Sequence, residues 1–205
     1  IGEYAFNNCT ELTSITISNS VINIGKSAFN HCVGLSVVDI PNSVTNIGDF
    51  AFYDCGGLEY VTISNSVTNI GDNAFGDCIK MKEINVADDN AKYSSENGVL
   101  FNKDKTTLIC CPAQKAGSYT IPNSVTSINN YAFKYCIGLS SIDIPNTVSN
   151  IGKYSFCECI GLISVNIPNS VKTIGVCAFG DCKATIYCDV EERPDGWDKD
   201  WLGNN

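Results

Sequence analysis

The chain has 205 residues, a formal net charge of −9 and 44% hydrophobic residues. With one histidine and no run of basic residues, it lacks the clustered Lys and Arg that phosphate-backbone binding needs, and docking on anionic lipid is disfavoured as well. No apolar run approaches the roughly 18–20 residues of a membrane-spanning helix, so neither nucleic acid nor membrane insertion is expected of this segment.

Taken from its start, the chain enters at Ile1-Gly2 in the middle of a repeat, without Met or signal peptide. It is expected to be a segment of a longer protein, so the missing targeting signal carries no weight. An Ala-Phe pair, or Ser-Phe once, ends at Phe6, Phe29, Phe52, Phe75, Phe133, Phe156 and Phe179. All these spacings are 23 residues except Phe75 to Phe133, which is 58. A fixed period of this size predicts stacked coils in which each touches only its neighbours.

Residues 1–11 form the back half of a coil. Full coils start at Leu12, Leu35, Leu58, Met81, Ala116, Leu139 and Leu162. Each opens on L-x-x-[IV]-x-[IV], the period-2 alternation of a half-buried strand, with Leu12, Ile15 and Ile17 facing in and Ser14, Thr16 and Ser18 facing out. Proline lacks a ladder donor and closes the strand at Pro41, Pro122, Pro145 and Pro168. The V-x-x-I-G segment that follows, as in Val44–Gly48, predicts a second inward-facing wall. Gly2, Gly25, Gly48, Gly71, Gly152 and Gly175 fill its last slot, with Asn129 as the single departure. Gly and Asn best tolerate a left-handed backbone, which predicts positive φ there. The A-F-x-x-C piece is expected to be one helical or 3₁₀ turn that buries Phe and Cys. One coil buries too little to fold alone, so stability is expected to be a nearest-neighbour property.

Two stretches break the pattern. The coil from Met81 to Lys115 carries 12 extra residues. Its Val99-Leu100-Phe101 and Thr106–Cys111 runs flank a charged tip at Lys103-Asp104-Lys105. They predict a β-hairpin insertion over about residues 87–115 that leaves the wall, either a binding element or a tolerated loop. Asn97-Gly98 within it is a strong turn dipeptide. After Cys182, residues 183–205 predict a capping segment. There Ala184–Cys188 is one more strand, out of register, and Trp197 and Trp201 cover the last coil rather than line a ligand site.

Chemistry is sparse. Seven of the twelve cysteines (Cys9, Cys32, Cys55, Cys78, Cys136, Cys159, Cys182) sit three residues after the repeat Phe, the pattern of a buried small-hydrophobe ladder. Cys110, Cys111, Cys157, Cys177 and Cys188 lie off it, and a Cys157–Cys177 bridge between adjacent coils is open. His31 is adjacent to Cys32 in sequence, but an inward Cys32 turns His31 elsewhere, so no Cys-His nucleophile is expected. Asp88-Asp89-Asn90 lacks the spaced oxygens of a calcium loop and reads as a solvated turn. No catalytic residue, metal site or cofactor is expected, and an enzyme is the most remote reading.

Surface remains. Outward strand positions predict two columns, Ser14, Val37, Tyr60, Glu83, Ser118, Ser141, Ser164 and Thr16, Asp39, Thr62, Asn85, Thr120, Asp143, Asn166, about 4.8 Å apart per step. Larger and more varied side chains cluster at Val37, Asp39, Tyr60, Thr62, Glu83 and Asn85. These six are the candidate binding residues, with a solvated sheet face as the plain alternative.

The string L-x-x-[IV]-x-I-P-N-S-V-x-x-I-G-x-x-A-F-x-x-C resembles the 23-residue leucine-rich repeat of the BspA-like (Treponema pallidum) class. The runs Asn97–Ile109 and Ile186–Trp197 resemble an insertion and a terminal module of the same class. The resemblance implies a single leucine-rich-repeat solenoid over residues 1–205. Such a fold is a β-rich, right-handed superhelix of the α/β type, with a parallel sheet on one face and short strands and 3₁₀ or helical turns on the other. It also implies a bacterial or protozoan cell-surface or secreted protein that binds a host or cell-surface protein in adhesion, or else an architectural spacer in a larger surface protein. The oligomeric state is left open.

Overall fold

The computed structural model describes residues 1–203 as two compact units, Ile1–Lys103 and a second from Asp104 onward. The first holds β1 (Asn23–Ile24), β2 (Val37–Asp39), β3 (Asn46–Ile47), β4 (Tyr60–Ile63), β5 (Asn69–Ile70), β6 (Glu83–Val86), β7 (Tyr93–Glu96) and β8 (Val99–Asn102). Strands β2, β4 and β6 form one parallel sheet and β1, β3 and β5 another, while β7 and β8 pair antiparallel. The second unit holds β9 (Thr107–Cys110), β10 (Gly117–Thr120), β11 (Ser127–Ile128), β12 (Leu139–Asp143), β13 (Asn150–Ile151), β14 (Ser164–Ile167), β15 (Thr173–Ile174) and β16 (Thr185–Cys188). Here β10, β12, β14 and β16 make one parallel sheet, and β9, β11, β13 and β15 the other wall. Each unit is therefore a β-solenoid built of coils with two parallel walls.

The expected burial follows the pattern. In the first unit Leu35, Val44, Ile47, Phe52 and Cys55 of one coil are inaccessible to solvent, as are Leu139, Val148, Ile151, Phe156 and Cys159 in the second. Phenylalanine rings stack in columns, Phe6–Phe29–Phe52–Phe75 at 5.1, 5.1 and 5.6 Å, and Phe133–Phe156–Phe179 at 4.9 Å per step, all close to parallel. The strand spacing of about 4.8 Å exceeds the ~3.5–4 Å contact distance of carbon surfaces. Parallel rings meet that spacing by sliding sideways, the offset arrangement their quadrupoles favour.

The A-F-x-x-C layer holds no helix of either kind among the described residues, which corrects the expected helical or 3₁₀ turn. Its donors alternate. Ala28, Asn30 and Cys32 donate within the coil to Gly25, Ser27 and Phe29, at 3.2 Å each, whereas Ser27, Phe29 and His31 donate to Asp49, Ala51 and Tyr53 of the next coil at 2.8–2.9 Å. A helix would direct every N–H along its own axis. Here half of them tie one coil to the next, and the backbone achieves this by entering the left-handed region at fixed intervals. Positive φ recurs at Tyr4, Ser27, Phe50 and Asn73, and four residues later at Asn8, His31, Asp54 and Asp77. The second unit repeats this at Tyr131, Tyr154 and Cys177 and at Tyr135, Glu158 and Asp181.

The Gly slot is thus not where positive φ lies, and that expectation is corrected: only Gly98, Gly117 and Gly203 among the glycines have it. Glycine stands at position 48 because backbone of the preceding coil approaches. A Cβ there would lie 2.7 Å from Lys26 N and 2.8 Å from Gly25 C, and at Gly152 2.5 Å from Asn130 N.

The insertion also departs from its expected form. Its hairpin turns at Asn97-Gly98, where both residues have positive φ, the backbone that a two-residue hairpin turn requires. Val99, Leu100 and Phe101 are fully buried, so β8 belongs to the core instead of leaving the wall. Strand β9 is a wall strand, with Leu108 buried and paired to Ile128. Tyr93 stands 23 residues after Ile70 and accepts a hydrogen bond from its N–H through the phenol oxygen at 2.9 Å. Near the end, β16 pairs with β14 in unbroken register from Ser164↔Thr185 to Ile167↔Cys188. The strand is out of step with the repeat, arriving 21 residues on, but not out of hydrogen-bond register. Trp197 bridges to Ile174, buries its ring and donates from Nε1 to Val171 O at 3.1 Å, while Trp201 packs edge-on against Phe179 at 5.7 Å. The last two residues of the expected capping segment lie outside the described residues.

Gly48→Ala should lower the stability of the first unit by about 1–3 kcal/mol, the usual cost of overpacking. Gly56→Ala, whose Cβ would meet nothing nearer than an Ile79 side-chain atom at 3.7 Å, should be close to neutral. Thermal melts of the two variants side by side check this; equal midpoints would remove the close-approach explanation.

Candidate binding face

The strand pattern places the six candidate residues where the sequence puts them. Because side chains alternate on a strand, Val38, Val61 and Ile84 turn into the core while their neighbours turn out. Parallel register then aligns Val37↔Tyr60↔Glu83 and Asp39↔Thr62↔Asn85, and all six are exposed. Val37 is 50% and Tyr60 41% accessible, large apolar surfaces on a face otherwise made of short polar groups. Ser14 bridges to Val37 and extends the first column. Beside Asp39, a depression of about 380 Å³ is lined by Ile15, Thr16, Ile17, Ser18, Asn19 and Pro41.

Two neighbours escaped the sequence reading. Lys82 Nζ lies 2.6 Å from Glu59 Oε2 and 5.4 Å from the centre of the Tyr60 ring. The hydrogen bond from Lys82 draws the Glu59 carboxyl below its ordinary range, and the same bond raises Lys82. Both groups are solvent-exposed, so the pair adds little stability. Its effect is to hold a cation against one side of the tyrosine. The signal in the sequence is the 23-residue separation of opposite charges, which sets them on adjacent coils.

The second neighbour is the hairpin. Ile84 N–H donates to Gly98 O at 2.9 Å and Val86 N–H to Ser95 Oγ at 3.0 Å, closing the open edge of β6. A Cβ on Gly98 would lie 3.1 Å from Glu83 Cγ. Sheet face and hairpin, treated separately in the sequence, thus form one continuous surface ending at Glu83. In the second unit the matching positions are small: Ser118, Ser141 and Ser164 align, with Ser141 Oγ donating to Ser118 Oγ at 2.8 Å, and Thr120 aligns with Asp143. Asn166, the last of the second column, aligns with Tyr187 of β16.

The sequence motifs set aside for chemistry fall as follows. Cys32 Sγ donates inward to Phe6 O at 3.0 Å, while His31 Nδ1 lies 2.5 Å from Asp54 Oδ2 on the surface. Cysteine and histidine therefore do not form a pair. Asn90 is fully buried, donating to Ser64 O and Val67 O and accepting from the N–H groups of Lys92 and Tyr93, all at 2.8–3.0 Å. It is a structural plug rather than a calcium ligand. Cys55 and Cys78 repeat the ladder bond to Phe29 O and Phe52 O at 3.1 and 3.2 Å. All cysteines are free thiols in this structure, Cys157 and Cys177 included.

These features, parallel coils with Phe and Cys columns, define a leucine-rich-repeat solenoid. The BspA type leucine-rich repeat region matches residues 1–106 and 110–193 in six copies, and the chain belongs to that family. It is similar to a leucine-rich repeat protein from Eubacterium ventriosum, at 25% identity and a TM-score of 0.67, over 89% of this chain and 62% of that one. The pneumococcal vaccine antigen PcpA is similar at 25% identity and a TM-score of 0.68, over 80% of this chain and 54% of the antigen. A leucine-rich cell surface protein from Faecalibacterium prausnitzii is similar at 26% identity and a TM-score of 0.57, over 94% and 70%. The chain therefore spans less than two thirds of the first two proteins. No curated protein sequence gives a match.

Burial raises the Cys55 thiol from an ordinary 9.0 to about 12, with the neighbouring Cys32 adding to the rise. The native state thus holds a proton that the unfolded chain releases. The stability this group contributes is full below about 9 and is lost as pH climbs toward about 12. Chemical denaturation should show a falling midpoint across that window, less steep in Cys55→Ala. At neutral pH a native thiol reagent should label Cys9 and Cys188 rapidly, and Cys32, Cys55 and Cys159 only on unfolding. Fast labelling of those three would overturn the core assignment.

Proposed function

We propose that this chain is a non-enzymatic protein-interaction module of a bacterial cell-surface or secreted protein. It acts in adhesion or in contact with host or neighbouring cells through the face of β2, β4 and β6. The observation that carries the proposal is the exposed Val37–Tyr60–Glu83 column, an aromatic anchor set between an apolar and an acidic neighbour and flanked by the hairpin. Tyrosine held by a neighbouring cation loses little conformational freedom when it docks, a frequent trait of interface anchors. Asp39 and Glu83 favour a partner that presents basic groups against the column. The cell-surface protein and the vaccine antigen among the similar structures support a surface location, and no helix of the described residues is long and apolar enough to cross a membrane.

A spacer that holds a binding domain away from the cell is the second reading. It is favoured by the second unit, where the first column carries only serines, Ser141 bonded to Ser118. The two readings separate in the full-length protein carrying Val37→Ser, Tyr60→Ala and Glu83→Gln together. An interaction module should lose adhesion to cells or matrix by about tenfold or more, with an unchanged circular dichroism spectrum. Full adhesion by a correctly folded triple variant would leave the spacer.

A further inference from the structure

We propose that Cys111 and Cys136 are joined by a disulfide when the protein matures in an oxidising compartment. The regular coils show why this pair stands apart. At Cys32, Cys55, Cys78 and Cys159 the ladder thiol donates to the carbonyl of the Phe one coil earlier, at 3.0–3.2 Å. At Cys136 the preceding coil has no Phe in that slot. Cys111 N–H donates to Ala132 O at 2.7 Å, the bond that Phe133 makes to Ser155 and Phe156 to Ala178. Cys111 therefore occupies the Phe slot. A column that elsewhere bonds a thiol to a Phe carbonyl here bonds the Cys136 thiol to the carbonyl of another cysteine, Cys111 O at 3.8 Å.

The two sulfurs converge on the same oxygen, Cys136 Sγ at 3.6 Å and Cys111 Sγ at 3.8 Å from Pro112 O. Both residues are buried. Tyr119 leans on Phe133 at 5.9 Å. A bond between them would tie the segment that follows β9 to the first regular coil of the second unit, at the place where the Phe column is interrupted.

In the reaction the two thiols give up two protons and two electrons to a small-molecule disulfide of the oxidised-glutathione class. Its S–S bond is cleaved to two thiols as the Cys111–Cys136 bond forms by two successive exchanges. Burial raises the Cys136 thiol well above its ordinary value, so it is a poor nucleophile once the coil has closed. The exchange therefore belongs to the folding chain, and the finished bond is sheltered from reductants. The surface location proposed above would supply the compartment, but the chemistry is tested apart from it.

The test refolds the whole chain in an oxidised/reduced glutathione buffer, blocks remaining thiols with N-ethylmaleimide in denaturant, and digests with trypsin at mildly acidic pH. Cleavage after Lys105, Lys115, Lys134 and Lys153 releases peptides 106–115 and 135–153. The expected result is a linked pair of these peptides that separates on reduction. Fragmentation between Cys110 and Cys111 should assign the sulfur to Cys111. Both peptides fully blocked as free thiols, or a link through Cys110, would overturn the proposal. Neither outcome bears on the binding face, which lies in the other unit.

Discussion

Everything in each unit hangs on the hydrogen bonds that run from one coil to the next. In the walls they are ordinary parallel ladders. In the turn layer they exist only because the backbone steps into the left-handed region every few residues and releases alternate N–H groups from helical pairing. Bulky residues occupy that region at Phe50, Tyr131 and Tyr154, against a local cost of about 1–2 kcal/mol each. The coil-to-coil bonds and the Phe and Cys columns they bring into line offset that cost. Without a neighbour to receive those bonds the conformation has no support, which is why stability here belongs to pairs of coils.

How much of this the sequence disclosed depends on whether a letter has one physical meaning or two. Phe52 and Cys55 have one, burial, and their spacing places the coil, the inward slots and the outward columns, including the alignment of Val37, Tyr60 and Glu83. Gly48 has two, freedom of φ and absence of Cβ, and only the position of Lys26 on the preceding coil decides for the second. Thr107–Cys110 reads as a hairpin strand by local pattern, yet its place in the wall is set by Ser127–Ile128, about twenty residues later. Propensity points away from Tyr131 as a left-handed residue, and the ladder overrides it.

The candidate face was legible as a set of positions and illegible as a surface. Lys82 and Glu59 shape the environment of Tyr60 through a contact between coils, and the hairpin reaches Glu83 through Gly98. Both depend on which strands lie side by side. The same holds for Cys111. Off the ladder in sequence, it takes the Phe slot because its N–H bonds to Ala132 O of the following coil.

The turn layer also has a direction. In the first unit, Tyr4, Phe6 and Asn8 donate to Lys26, Ala28 and Asn30, and in the second, Tyr154, Phe156 and Glu158 donate to Val176, Ala178 and Gly180. Every such bond points the same way, donor from the earlier coil and acceptor from the later one. Each coil therefore presents acceptors backward and donors forward, and the chain after β16 meets this by offering Asp200 O to Cys177 and Trp201 O to Phe179. A stack with such polarity extends head to tail. At the last coil the N–H groups of Cys177 and Phe179 are thus spent on the chain's own carbonyls, so this layer closes on acceptors that the chain itself supplies.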